Sequence, residues 1–262
     1  SVVAVSLKKN DGSVAEKQRA IEEGLWHLKQ IWDVVPEPTF RTIPDQDWTA
    51  GWKERVPTLH LGNRIVVKPS WRTYAFTEDE IVLEMNPGLA FGTGLHPTTQ
   101  LCVEATEALV QPGDRVLDLG TGTGILALVA VKLGAASVLA VDIDENAVAA
   151  ARENLRANDA ADRVQLRKGS LADVPGRYDL VLANILAPVI KKMAAEGIAT
   201  RLRPGGTLVV SGILEEQIDE VAAALASNGL RVTDRRIHQE WAALIAKSAH
   251  SQPPSTARSV CR

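Results

Sequence analysis

Val116-Leu117-Asp118-Leu119-Gly120-Thr121-Gly122-Thr123-Gly124-Ile125 is the stretch whose reading decides the fold. It reads as a short buried strand that breaks into a glycine-rich turn and opens a helix at about Ile125. Glycine at three alternate positions strips side chains from the turn, so the backbone can approach a ligand closely and adopt conformations a Cβ would forbid. The amides at the following helix N-terminus point into the same space. This is the nucleotide corner of an open α/β sheet, and it implies an adenosine-type cofactor.

The spacing narrows the choice of cofactor. In the dinucleotide fingerprint G-x-G-x-x-G/A, Gly120 and Gly122 fill the first two places but the third falls on Ile125, whose branched side chain spoils the close helix–strand packing. The pattern is instead G-x-G-x-G behind an acidic residue, Asp118, which resembles the first motif of S-adenosylmethionine-dependent methyltransferases. The next apolar run, Ser137 to Val141, ends in Asp142. That is about 20 residues past the first glycine, where a carboxylate at a strand tip can accept both ribose hydroxyls of an adenosine. The competing reading is an ordinary strand–helix turn, with Asp142 or Asp144 capping the next helix.

Downstream of Arg115, strands are expected at 115–119, 137–142, 164–168, 178–183 and 206–211, and helices near 125–133, 145–158, 188–202 and 215–228. Regular alternation of this kind specifies α/β architecture with a doubly wound, mostly parallel sheet. The close differs. Arg231 to Ile237 and Trp241 to Ala246 are joined by the short turn His238-Gln239-Glu240, so they must pair antiparallel. The expected fold is therefore a Rossmann-like methyltransferase sheet with a C-terminal antiparallel hairpin, plus a small α+β N-terminal unit. In that unit Val2 to Leu7 and Thr39 to Ile43 are strand candidates. Between them Ser13 with Glu16 forms a capping box, and Val14, Ile21, Leu25, Leu28 and Trp32 share one helical face. Trp48 and Trp52 lie on a connecting helix, read as a packing ridge. Arg64 to Lys68 and Ile81 to Met85 alternate like the strands of a hairpin or edge ribbon. The domain reading is thus 1–44, 45–57 (linker helix), 58–247 (catalytic domain) and 248–262, a Ser/Pro/Ala-rich tail expected to be disordered.

Bulk properties agree with a folded enzyme. The 262 residues are 45% hydrophobic and 23% charged, a globular mix with room for one large and one small domain. The net charge of −3 argues against a broad nucleic-acid footprint. Cys102 and Cys261 suggest neither a disulfide framework nor a zinc site, and a cytoplasmic location is the simplest reading. No membrane span or leader is visible, and the Ser1 start inside a strand-like run is read as a processed, trimmed or fragmentary N-terminus.

Two further segments fall where such a sheet places its ligands. Ala183-Asn184-Ile185-Leu186-Ala187 follows the apolar run Leu180-Val181-Leu182, which aims Asn184 into the crevice above the sheet. Its amide can accept from an attacking amine and donate to the cofactor, or it can simply cap the next helix. Asn86 to Thr99 is a glycine-rich loop running into a helix marked by Pro97. Gly hinges there could let the loop close over the cofactor. Thr99 in the first turn could bond the cofactor's carboxylate at the favourable end of the helix dipole. His96 reads as a helix cap, and no metal constellation is present.

Phe91-Gly92-Thr93-Gly94-Leu95-His96-Pro97-Thr98-Thr99, Asp118 to Ala127, Val141-Asp142-Ile143-Asp144 and Ala183 to Ala187 together resemble the ribosomal protein L11 methyltransferase family (PrmA). Asp47-Trp48, Trp52-Lys53 and Lys68-Pro69-Ser70-Trp71 resemble it too. The likeness runs from about Asp45 to Lys247. It implies S-adenosyl-L-methionine as cofactor, with contacts at Thr99, Gly120, Asp142 and Asn184, joined by Gly122 and Phe91 from the same motifs. It implies methylation of lysine ε-amines and the N-terminal α-amine of ribosomal protein L11, with Asn184 aligning the neutral amine. It also implies a ferredoxin-like substrate-recognition domain, of which residues 1–44 supply only the last strand–helix–strand part. A monomer without membrane or direct nucleic-acid partners is expected. The rivals are a nucleic-acid or glutamine-amide methyltransferase, a small-molecule methyltransferase and a non-catalytic cofactor-binding scaffold. The first lacks its usual aromatic stacking residue, since Asn184-Ile185-Leu186-Ala187 stands where Asn/Asp-Pro-Pro-Tyr/Phe is common.

Overall fold

A computed structural model of the chain describes residues 56–86 and 91–248 and, before them, Ile21 alone, which is helical. The expected N-terminal strands, the tryptophan ridge and the tail from 249 onward lie outside the described residues. Of the expected linker helix, Val56 and Pro57 are described, and neither is helical. All described residues except Ile21 belong to the compact unit that begins at Val56.

That unit opens with a small sheet of β1 (Leu59–Leu61), β2 (Ile65–Lys68) and β3 (Ile81–Glu84). The sequence suggested that the second and third of these form a hairpin or edge ribbon. Instead β2 pairs antiparallel with β1 across a turn at Gly62, whose φ of 64 suits glycine, and pairs parallel with β3. Alternation reveals a half-buried strand but not its direction. The segment between Lys68 and Ile81 is long enough for the crossover a parallel partner needs.

The main sheet follows from the alternating pattern. Its elements are α1 (Pro97–Leu109), β4 (Arg115–Leu119), α2 (Ile125–Lys132), β5 (Ser137–Asp142), α3 (Glu145–Ala157), β6 (Val164–Lys168), β7 (Tyr178–Asn184), α4 (Ala187–Ala195), β8 (Leu202–Leu214), α5 (Ile218–Ser227), β9 (Leu230–His238) and β10 (Trp241–Ser248). The strand order is β6-β5-β4-β7-β8-β10-β9. The first five of these strands run parallel, and β10 pairs antiparallel with both β8 and β9. Both faces are covered, so the inner strands are nearly continuous apolar runs. Residues of α1, α2 and α3 pack with Val116, Val138 and Leu180 on one face; those of α4 and α5 pack with Leu117, Leu139 and Val181 on the other. Helix α2 has every residue but Lys132 buried, as expected for a helix apolar on all sides.

Two boundaries differ from the sequence reading. The helix expected over 188–202 stops at Ala195, because Gly197 takes a left-handed conformation (φ 92) and the chain tightens into a 3₁₀ turn at Ile198–Arg201, a common way for a helix to end. Strand β8 then begins at Leu202, before the expected 206, and runs through Pro204-Gly205-Gly206 with a register irregularity against β7. The last strand includes Ser248.

The direction in which successive strands are added to the sheet reverses between β4 and β7, which themselves run parallel. From β4 the chain winds outward through β5 to β6, then crosses back to β7 on the other side. That divergence opens a crevice above the carboxyl ends of β4 and β7, where open α/β sheets take their ligands.

Candidate functional site

The crevice begins at the glycine turn. Gly120, Gly122 and Gly124 all have positive φ (69, 56 and 83). The turn hangs from β5: the amides of Gly120 and Thr121 donate to the Val141 carbonyl at 2.8 and 3.1 Å. A Cβ on Gly122 would come within 2.4 Å of the Phe91 carbonyl oxygen, so glycine is needed there for space as well as for conformation. On Gly120 it would meet the Ile185 side chain at 2.8 Å.

Asp142 ends β5 and faces this turn. Its Oδ2 accepts from the Gly122 amide at 2.9 Å and its Oδ1 from the Asp144 amide at 3.0 Å. Each oxygen retains a further lone pair. Asp144, not Asp142, caps α3, accepting from the Asn146 amide at 2.9 Å. Of the two carboxylates that the sequence offered as caps, Asp144 therefore takes that place.

Asn184 ends β7 on the other side of the crevice. It is not a helix cap: α4 is preceded by Leu186, with no side-chain cap bond. Its Nδ2 donates to Thr99 Oγ1 at 3.4 Å, and its Oδ1 is buried with no hydrogen-bond partner. A buried unpartnered acceptor is costly unless something fills it. Thr99 is fully buried in the first turn of α1. Because its oxygen accepts from Asn184, its hydroxyl proton is left to donate elsewhere. His96 is the N-cap of α1, with Nδ1 accepting from the Thr98 amide at 3.3 Å. Its ring stands edge-on between Phe91 (5.3 Å between centroids) and Trp241 (4.7 Å).

Beneath the turn lies Asp118, fully buried. Burial pushes its carboxyl up to about 6, and the Asp142 charge adds to this; the Thr121 hydroxyl, donating to Oδ2 at 2.6 Å, and the nearby Ala127 amide pull the other way. Its Oδ1 has no hydrogen-bond partner. Burial likewise pushes the Cys102 thiol up to about 12, which makes it an inert core residue.

The fold thus gathers Phe91, Thr99, Gly120, Gly122, Asp142 and Asn184 at one end of the sheet, although they span four separate stretches of sequence. Exposed apolar side chains rim this end: Phe91 is 55% exposed, Ile143 75% and Leu186 64%. Sequence reasoning missed Asn154, Asn158 and Gly212. The two asparagines, Asn154 on α3 and Asn158 at its C-cap, are almost fully buried and bond backbone groups of the glycine turn and of β3. Their only signal was a polar pair at i,i+4 spacing on the face of α3 that also carries Ala147 and Ala151. A Cβ on Gly212 would lie 2.4 Å from the Ile185 carbonyl oxygen, so this glycine lets the Asn184-Ile185 corner pass close to β8. Among the described residues, no group of three or more His, Cys, Asp or Glu could hold a metal ion, and no helix is long and apolar enough to cross a membrane.

Comparison with known proteins points to one family. The family described as Ribosomal protein L11 methyltransferase (PrmA) matches residues 2–249. The chain is 42% identical over 260 residues to the ribosomal protein L11 methyltransferase of Chloroflexus aurantiacus, covering 90% of this chain and 79% of the relative. It is 47% identical over 208 residues to that of Pelotomaculum thermopropionicum, covering 79% and 67%. The crystal structure of the ribosomal protein L11 methylase from Lactobacillus delbrueckii subsp. bulgaricus superimposes with a TM-score of 0.69 at 36% identity, covering 74% of this chain and 99% of that one.

Proposed function

Because the chain belongs to the ribosomal protein L11 methyltransferase family, we propose that it methylates the lysine ε-amines and N-terminal α-amine of ribosomal protein L11 in the cytoplasm, using S-adenosyl-L-methionine. The observation that carries the catalytic part is the buried, unpartnered Oδ1 of Asn184 beside Thr99. An acceptor in that position is suited to the N–H of an incoming amine.

The residues fit the cofactor piece by piece. Asp142 has lone pairs left for two ribose hydroxyls, and the side-chain-free turn at Gly120 and Gly122 leaves room for the nucleoside to approach. Thr99 has a free hydroxyl proton for a carboxylate, in the first turn of α1 where the helix dipole favours negative charge. The exposed Phe91 ring would cover the mouth. When bound, S-adenosylmethionine supplies an electrophilic methyl on a cationic sulfur with a good leaving group. The chain's own task is to position the amine, and orientation alone is worth roughly 7–11 kcal/mol of barrier. Asn184 accepts an N–H from the amine but cannot take its proton. The lysine, with a reference pKa of about 10.4, must therefore lose its proton before transfer, and burial at the apolar rim favours that loss. Residues 1–44 are assigned to holding the protein substrate.

The test is mass spectrometry of L11 from the same source after incubation with enzyme and cofactor, using wild type and Asn184→Ala. Mass increments of methyl groups on L11 are expected with wild type. A loss of kcat/KM of at least about tenfold is expected in the variant, the cost of one buried hydrogen bond in the transition state. Full activity in Asn184→Ala would remove its assigned role, and labelling of RNA in place of L11 would overturn the substrate.

A further inference from the structure

Each side-chain oxygen and nitrogen of a buried two-residue node at Thr123 and Asn154 is hydrogen-bonded to a backbone group, at Gly92, Asn86 or Thr123. The Thr123 side chain is fully buried and Asn154 is 1% exposed. Thr123 closes one flank of the glycine-rich loop: its amide donates to the Phe91 carbonyl at 3.0 Å and its hydroxyl to the Gly92 carbonyl at 2.6 Å. Asn154 closes the other. Its Oδ1 accepts from the Asn86 amide at 3.0 Å, and its Nδ2 donates to the Thr123 carbonyl at 3.0 Å. Asn158, the C-cap of α3, extends the anchor. It accepts from the Glu84 amide at 2.8 Å and donates to the carbonyls of Glu84 at 2.6 Å and Asn154 at 2.7 Å.

The geometry points to Thr123 and Asn154 as positioning residues, which set the glycine turn relative to the residues on either side of the loop without themselves touching the cofactor. The node has no slack. A Cβ on Gly92 would lie 3.0 Å from Thr123 Oγ1, one on Gly122 would meet the Phe91 carbonyl, and one on Gly124 would lie 3.2 Å from Ala151 Cβ on α3. The loop flank, the turn and α3 are therefore in direct contact at the corner where Asp142 holds the Gly122 amide. An amide–hydroxyl pair is a suitable choice for this task. Three segments of backbone arrive there outside any helix or strand ladder, and each brings an amide or carbonyl with no ladder partner. Asparagine supplies donor and acceptor together, and threonine supplies a hydroxyl on a side chain stiff at χ1.

This inference rests on the cofactor reading given under Proposed function, and the experiment separates the two. Binding of S-adenosylmethionine to the unliganded full chain is measured by calorimetry for wild type, Thr123→Val, Thr123→Ser, Asn154→Ala and the Thr123→Val/Asn154→Ala double variant. Hydrogen exchange at the Gly122 and Thr123 amides is followed without ligand. Thr123→Val and Asn154→Ala are expected to weaken binding by about tenfold, as for loss of one buried hydrogen bond, while kcat at saturating cofactor stays within about twofold of wild type. Thr123→Ser, which keeps the hydroxyl, should bind within about twofold of wild type. The double variant should bind little worse than the weaker single one, because residues of one network do not act additively. Amide exchange should quicken in the Val and Ala variants. Should Asn154→Ala fail to fold, the Val and Ser pair at Thr123 carries the same comparison. Unchanged affinity in the Val variant, or equal weakening in the Val and Ser variants, would overturn the inference. Absence of binding by wild type would overturn the cofactor reading and, with it, this one.

Discussion

Asp118 shows how a single residue can be easy to find in the sequence and still hide its physics. The acid before the glycines is a sequence motif, but its full burial and unpartnered Oδ1 emerge only when β4 lies between two strands and beneath the turn. Its carboxyl titrates near 6 in the folded chain, against an ordinary 3.8. A folded value above the unfolded one means that the native state binds the proton more tightly. The resulting stabilisation is complete below about pH 3.8 and is lost as pH rises through about 6. Compared with Asp118→Asn, wild type should gain on the order of 2 kcal/mol of stability at pH 4.5 relative to pH 7.5. Urea unfolding of both proteins at the two pH values measures it, and parallel pH dependences would contradict the assignment. Asp142 and Asn184 were equally legible, each marked by its place at the end of an apolar run. Asn154 was not. A polar residue within an amphipathic helix reads as solvent-facing until the backbone groups that bury it are known.

At the level of elements, the N-terminus of α1 links the site to the rim. His96 caps the helix that carries Thr99, and the same ring packs edge-on against Phe91 and Trp241. Asparagine is a strong N-cap and alanine a poor one, so His96→Ala should cost about 1 kcal/mol of stability and His96→Asn should recover most of it. Equal unfolding midpoints for the two variants would show that the cap bond contributes nothing and that the ring contacts dominate. The helices and strands from Arg115 onward were legible because short apolar runs alternate regularly with helix-forming stretches, with glycine or an acidic cap at several boundaries. Two features were not. The direction of β3 depends on where the chain returns after Lys68, which alternation does not encode. The early end of α4 depends on Gly197 adopting a left-handed conformation, and an isolated glycine does not announce that choice.

For the whole molecule, topology converts four separated motifs into one site. The order β6-β5-β4-β7-β8-β10-β9 places the ends of β4, β5 and β7 side by side, and α1 delivers Thr99 to the same edge. The two-sided burial of the sheet explains why a doubly wound, mostly parallel sheet, though not its strand order, could be anticipated. A doubly wound arrangement covers both faces of such apolar strands, and only an antiparallel close accommodates the tight turn at Gln239 (φ 57). The central claim is that this edge holds S-adenosylmethionine, with its ribose on Asp142. Calorimetric titration of the full chain with S-adenosylmethionine and, separately, with NAD tests it most directly, repeated on Asp142→Ala. The account predicts saturable binding of S-adenosylmethionine alone, weakened at least about tenfold in the variant, as for loss of hydrogen bonds to a charged acceptor. Heat from NAD but not from S-adenosylmethionine, or an affinity untouched by removal of the Asp142 carboxylate, would contradict it.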